Sequence, residues 1–187
     1  WPGAMKAVTW EGTSYGIPTN NETMAFIWNA DIFERAGLDP ENPPATWDDV
    51  VTYSKQIKDK LGIAGYGLVA RQNAGNTPYR FMPQLWAYGG GVFDEADANP
   101  TYDEVRLDSP ESKQALQASY DMYVRDQSVP VSALTNTQAD NQAPFIAGQL
   151  AMVISHPSEY ARMLELAEQA TGADKETAQK VIDNMRY

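Results

Sequence analysis

Met24-Ala25-Phe26-Ile27-Trp28 is a run of five apolar residues with no polar break. A surface helix keeps a polar face and a half-exposed strand alternates, so a run this short and continuous reads as a buried strand. Leu150-Ala151-Met152-Val153-Ile154, released by Gly148, reads the same way. A buried strand needs cover from other elements, and the segments around these two runs carry helical signals. Asn29 can cap a short helix through Glu34, with Gly37 closing it in the left-handed conformation. Thr46-Trp47-Asp48-Asp49 is a helix start with two carboxylates at the positive end of the dipole. Val50, Tyr53, Ile57 and Leu61 then follow on one face until Gly62.

Further along, Gly65 to Val69 is expected as a strand and Thr77 to Trp86 as a helix, with Met82, Leu85 and Trp86 in the core. Gly89-Gly90-Gly91 breaks that helix. Ser109-Pro110 opens another, for which Leu116, Tyr120 and Tyr123 supply the expected apolar stripe. A short helix fits Gln138 to Ala147, and Ser158 to Arg186 reads as helical with a break at Thr171-Gly172. Near the start, Glu11-Gly12 between Val8-Thr9-Trp10 and Ser14-Tyr15-Gly16-Ile17-Pro18 suggests a hairpin. Strands alternate with helices, which predicts an α/β layered fold. Pro40, Pro43 and Pro44 make a stiff loop inside a single domain rather than a boundary.

Charge and composition remove whole classes of function. The net charge of −11, from 25 acidic and 14 basic residues, repels phosphate backbones and anionic lipid, so no nucleic-acid partner is expected. No apolar run approaches the roughly 20 residues that span a bilayer. Cysteine is absent and His156 is the only histidine, which removes disulfides, thiolate chemistry and histidine-rich metal sites. His156 sits in Ser155-His156-Pro157, without the glycines of a nucleophile elbow, and the glycines at 89–91 lack the lysine of a phosphate loop. Neither metal nor organic cofactor is expected. Glu22, Asp94 and Glu95 lie near predicted strand ends, where a glycosidase would keep two carboxylates roughly 5–10 Å apart. A carbohydrate-active enzyme therefore stays open as the second reading. Asp94, Glu95 and Asp97 with Asp103 and Glu104 are acidic enough for calcium but lack the EF-hand spacing.

Three polar clusters each sit at a buried strand's end or in the loop after it. Asn20-Asn21-Glu22 precedes the first run; Gln72-Asn73 with Thr77, Tyr79 and Arg80 surrounds a helix start; Ser155-His156-Pro157-Ser158 follows the second run. Amides, carboxylates and arginine bond vicinal hydroxyls, and aromatic faces pack on sugar rings, so convergence of these clusters would suit a neutral polyhydroxylated ligand.

Tyr15-Gly16-Ile17-Pro18 followed by Met24 to Asn29 resembles the "YGIP…ALFYN" segment of extracellular solute-binding proteins of ABC importers, the type that binds maltose, other oligosaccharides and glycerol-phosphate compounds. Phe33-Glu34-Arg35-Ala36-Gly37-Leu38 is similar to their "FEKAGL" helix end, and Pro44 to Asp49 to their "P-x-TWDE" helix start. Trp86 to Gly90 and Ala143 to Met152 resemble "W-x-x-GG" and "F-x-x-G-x-x-A-M". The landmarks run in the family's order.

The resemblance implies one lobe of a two-lobed, type II periplasmic-binding-protein-like fold. Residues 1–187 would form the C-terminal lobe, with the hinge approached at about 8–22 and the N-terminal lobe and secretion signal outside this chain. It implies a non-enzymatic receptor, periplasmic or otherwise extracytoplasmic, or a lipoprotein anchored to the membrane. Such a receptor holds a sugar or polyol between two lobes and presents it to an ABC permease. Position by position, Glu22, beside Asn21, falls where maltose-type members place an acidic sugar ligand, and Tyr79 matches a stacking aromatic. Thr77 and Arg80 fall on neighbouring ligand positions. Ser155-His156-Pro157-Ser158 stands at "N/S-G-P-W", with Ser158 in place of the tryptophan, which leaves the sugar open. Arg80, supported by Lys6 or His156, would also suit a carboxylate or phosphate.

Overall fold

The computed structural model describes residues 2–19, 23–72, 74–93 and 104–187. A four-stranded mixed sheet carries the architecture. Its strands are β3 (Ala25–Asn29), β4 (Ala64–Tyr66), β5 (Leu150–Ser155) and β6 (Met185–Arg186), in the order β4-β5-β3-β6. They follow a separate hairpin of β1 (Thr9–Trp10) and β2 (Thr13–Ser14), whose Glu11 and Gly12 both take positive φ, the twist-matched two-residue turn. In the sheet β5 runs antiparallel to β3 and parallel to β4, with Phe26 opposite Ile154 and Tyr66 opposite Met152. The two apolar runs are thus the two central strands, and all six residues of β5 are buried.

Helices cover both faces of this sheet. Trp28, Met152 and Ile154 point to one side, where they pack with Ile32 and Phe33 of α2 (Ala30–Ala36), with Val50 and Ile57 of α3 (Trp47–Leu61), and with Met122. Ile27 and Val153 point to the other, against α6 (Gln142–Ile146), α7 (Pro157–Gln169) and α8 (Gly172–Asp183), and Leu150 at the start of β5 joins the same cluster. Adjacent residues of a strand face opposite layers, so an unbroken apolar run serves two cores at once. This helix–sheet–helix arrangement is the α/β class expected from the sequence.

The helix ends follow their local chemistry. Asn29 Oδ1 accepts from Ile32 N at 3.2 Å, and Gly37 takes φ 77°. Thr46 Oγ1 accepts from Asp49 N at 3.1 Å while Asp49 accepts from Thr46 N at 2.9 Å, a complete capping box. Ser109 Oγ accepts from Ser112 N to open α5 (Pro110–Tyr120). α4 (Asn76–Ala87) also forms where expected.

Several details differ from the sequence reading. β4 begins one residue earlier than Gly65 and ends at Tyr66, and Gly65 lies so close to Ser54 of α3 that a Cβ there would come within 2.2 Å of the serine Cα. Of the apolar stripe assigned to α5, Leu116 is 62% and Tyr120 55% exposed, while Tyr123 packs against the core from the π turn and Ser112, Ala115 and Ala118 are the buried residues of the helix. Gln84 of α4 donates to the Ala115 carbonyl at 2.7 Å, an approach that only small side chains on α5 allow. Trp86, expected in the core, is 51% exposed, and Met82 is half-buried; only Leu85 of that trio is fully enclosed. The helix expected from Gln138 opens with a 3₁₀ turn, Ala139–Asn141. Met185–Arg186 is not helical but pairs antiparallel with Trp28 and Asn29. A short α1 (Pro2–Lys6) and a π turn over Asp121–Arg125 after α5 are additions.

Candidate functional site

The end of β5, the end of β4 and the start of β3 share one edge of the sheet, since Ser155 lies opposite Ala25 and Gly67 N donates to Met152 O. The first turns of α4 and α7 meet at that edge. Crevices beyond the carboxyl ends of strands are the usual ligand sites of open α/β sheets.

Tyr79 and His156 stack there with ring centroids 5.5 Å apart and planes inclined by 16°. Tyr79 is 44% exposed while His156 is buried, so the imidazole backs a phenol ring that reaches solvent. Arg80, 4% exposed, spends its guanidinium on protein groups. Its Nη2 bonds both carboxylate oxygens of Glu159, at 2.6 and 2.7 Å. Its Nη1 meets His156 Nε2 at 2.8 Å and Met24 Sδ at 3.0 Å. Arginine only donates, so this contact needs Nε2 as its acceptor. Glu159 also accepts from Ser155 Oγ at 3.0 Å and from His156 N at 3.2 Å. A carboxylate beside an arginine that is otherwise cut off from water makes this a charge-neutral, strongly bonded cluster.

Of the residues expected at the site, Tyr79, Arg80, Ser155 and His156 come together. Thr77 is half-buried and donates through its hydroxyl to the Arg71 carbonyl at 2.7 Å, which closes the loop before α4. Ser158 is exposed on the first turn of α7. Asn21 and Glu22 lie outside the described residues, as do Asn20, Asn73, Asp94, Glu95, Asp97 and Asp103. Lys6 ends α1 and is exposed. Glu159 was not expected. Its position two residues after Pro157 is an acidic N3 signal for a helix start, but nothing in the sequence ties it to Arg80. Among the described residues no group of three or more acidic or histidine side chains is placed to hold a metal ion.

The profile of the bacterial extracellular solute-binding protein family matches residues 2–183. The chain belongs to this family. An ABC transporter solute-binding protein from Thermotoga lettingae, bound with α-D-tagatose, is 29% identical and superposes with a TM-score of 0.73 over 87% of this chain and 40% of its own. Maltose-bound MalE3 of T. maritima is 26% identical, with a TM-score of 0.72 over 87% of this chain and 39% of its own. Both matches confirm the α/β lobe of the type II periplasmic-binding-protein fold. Among curated relatives, a binding protein of Brucella abortus is 26% identical over 147 residues, 79% of this chain and 33% of that protein. The sn-glycerol-3-phosphate-binding periplasmic protein UgpB of Shigella flexneri is 49% identical over 49 residues, 26% of this chain and 11% of its own. The chain therefore spans a third or less of these two relatives. It belongs to a family of extracellular binding proteins, and among the described residues no helix is long and apolar enough to cross a membrane.

Proposed function

We propose that the chain is the C-terminal lobe of the substrate-binding component of an ABC importer and contributes one wall of a site for a sugar or related polyol. One observation carries the reading. At the strand-end edge, an exposed phenol ring stacks on a buried imidazole, and Ser158 is exposed on the first turn of α7, which supplies an aromatic face and a polar group of the kind a sugar ring needs. Tagatose and maltose in the two solved relatives supply the ligand class. Tyr79, Ser155, His156 and Ser158 are assigned to the described part of the wall, Thr77 closes the loop before α4, and Asn21 and Glu22 are assigned as ligand groups on the family resemblance alone. Closure of a second lobe over this wall creates the form that a membrane permease recognises. The protein acts outside the cytoplasm, and its work is conformational rather than catalytic.

The test is an amide NMR titration of the chain with mono- and disaccharides at millimolar concentration, the range expected of half a site. Saturable shifts grouped at Tyr79 and Ser155–Ser158 support the reading. A parallel arm with sn-glycerol 3-phosphate, the ligand class of UgpB, separates a neutral from a phosphorylated solute. Shifts confined to other faces, or none with any solute on a two-lobed protein containing this chain, overturn the reading. Product released from an oligosaccharide by the purified protein would establish the glycosidase instead. Glu22→Gln distinguishes the two, weakening a receptor's binding by about 1–3 kcal/mol while sparing affinity in a glycosidase that loses turnover.

A further inference from the structure

We propose that Arg80 and Glu159 are positioning residues of the ligand wall. They form a buried latch that locks the first turn of α7 to α4 and fixes the ring orientation of the His156–Tyr79 stack. The ligand class rests on the proposed function, whereas the latch rests on geometry alone.

Arg80 is the residue that most invites a direct role with an anionic solute, and its surroundings argue against one. Its Nη1 is directed at His156 and Met24, and its Nη2 at the Glu159 carboxylate. Glu159 neutralises its charge in a pair whose side chains are only 4% and 12% exposed. The remaining donor, Nε, is buried with no partner among the described residues, as is Gln138 Oε1. Arg80 and Gln138 border the same cavity, whose volume of about 10 Å³ has room for about one water and none for a sugar or a phosphate. Arg80 thus acts on the ligand through other residues.

What the latch joins explains its use. Tyr79 and Arg80 are neighbours on α4, so the ring presented to solvent and the buried guanidinium share one backbone segment. Ser155, His156 and Glu159 are likewise one segment, with Glu159 bonding both the serine hydroxyl and the histidine amide. Met24 brings in the approach to β3. One buried pair therefore sets three wall segments against each other. The guanidinium also selects the imidazole tautomer, because Nε2 opposite Nη1 cannot be protonated. A site held by such a second layer keeps its contact groups in place before ligand arrives.

His156 is the only histidine, so its ring nitrogens give a single assignable set of signals in long-range ¹H–¹⁵N spectra. In the unaltered chain these spectra should show an Nδ1–H imidazole with unprotonated Nε2. Arg80→Met combined with Glu159→Gln removes both charges together and so avoids stranding one in the interior. This double variant should stay folded, lose the tautomer bias, and bind whichever saccharide of the panel the unaltered chain binds about tenfold more weakly. Arg80→Lys, which keeps the charge without the fork, should weaken binding less. A ring protonated on Nε2 in the unaltered chain overturns the latch, and so does a double variant that keeps both tautomer and affinity. If no saccharide binds the unaltered chain, the ligand reading falls and the tautomer spectra still decide the latch.

Discussion

Two helices of this lobe begin with the same local device and use it differently. In α3 the third residue, Asp49, reaches back to the backbone N–H of Thr46, and its carboxylate is otherwise occupied by Ala45 N and the Thr46 hydroxyl. In α7 the third residue, Glu159, reaches back to the N–H of His156 in the same way. The Asp49 bonds are all local and lie at the surface. Glu159 adds two bonds to Arg80, 79 residues away in sequence, in a nearly dry setting. The same cap motif is thus only a helix start in one place and also a tertiary joint in the other. The difference lies in whether a buried cation from another element arrives at the carboxylate.

This contrast can be broken by substitution, and the largest effect should come from Glu159→Ala. It strands the Arg80 charge in the interior and should cost about 3–5 kcal/mol in urea or thermal unfolding. A cost near that of a simple cap would show that Glu159 is no joint. Asp49→Ala should cost only about 1 kcal/mol, the usual worth of a cap, and should leave sugar-induced shifts at Tyr79 unchanged. A third carboxylate sharpens the electrostatic side. Asp126 is held below the usual carboxylate range by its hydrogen bond to the Arg125 guanidinium, against the opposing effect of its burial. A depressed folded-state pKa adds stability above the unfolded value, and that stability is lost as pH falls through the folded one. Asp126→Asn should therefore cost no more than about 1 kcal/mol at pH 7 and nothing in strong acid. Parallel unfolding curves at both pH values check this. Leu116→Ala should be smallest, within about 0.5 kcal/mol, because that side chain is solvent-facing. A loss of several kcal/mol there would mean that the outward stripe of α5 is packed after all.

Much of the frame was legible because its signals are local. Asn29, Thr46 and Ser109 cap helices through bonds to residues three positions on, and Gly37 and Gly62 end them through a backbone conformation that favours glycine. The continuous apolar runs named the central strands, since only a two-faced core tolerates such composition. The site was legible as far as its segments went: Tyr79, Arg80, Ser155 and His156 were singled out, and the fold brings them to one edge.

What the chain alone determined was the two central strands, the capped ends of α2, α3 and α5 and the α/β layering, all of which depend on neighbours within about one helical turn or on strand composition. The tertiary structure decided which faces meet. It left Leu116 and Trp86 exposed while Gln84 reaches the backbone of α5 at Ala115, and it recruited Met185 and Arg186 as an edge strand beside Trp28. It also joined Arg80 to Glu159, a pairing no periodicity announces. An ion pair is specified by a distance in space, and its strength comes from the burial that only the assembled layers create.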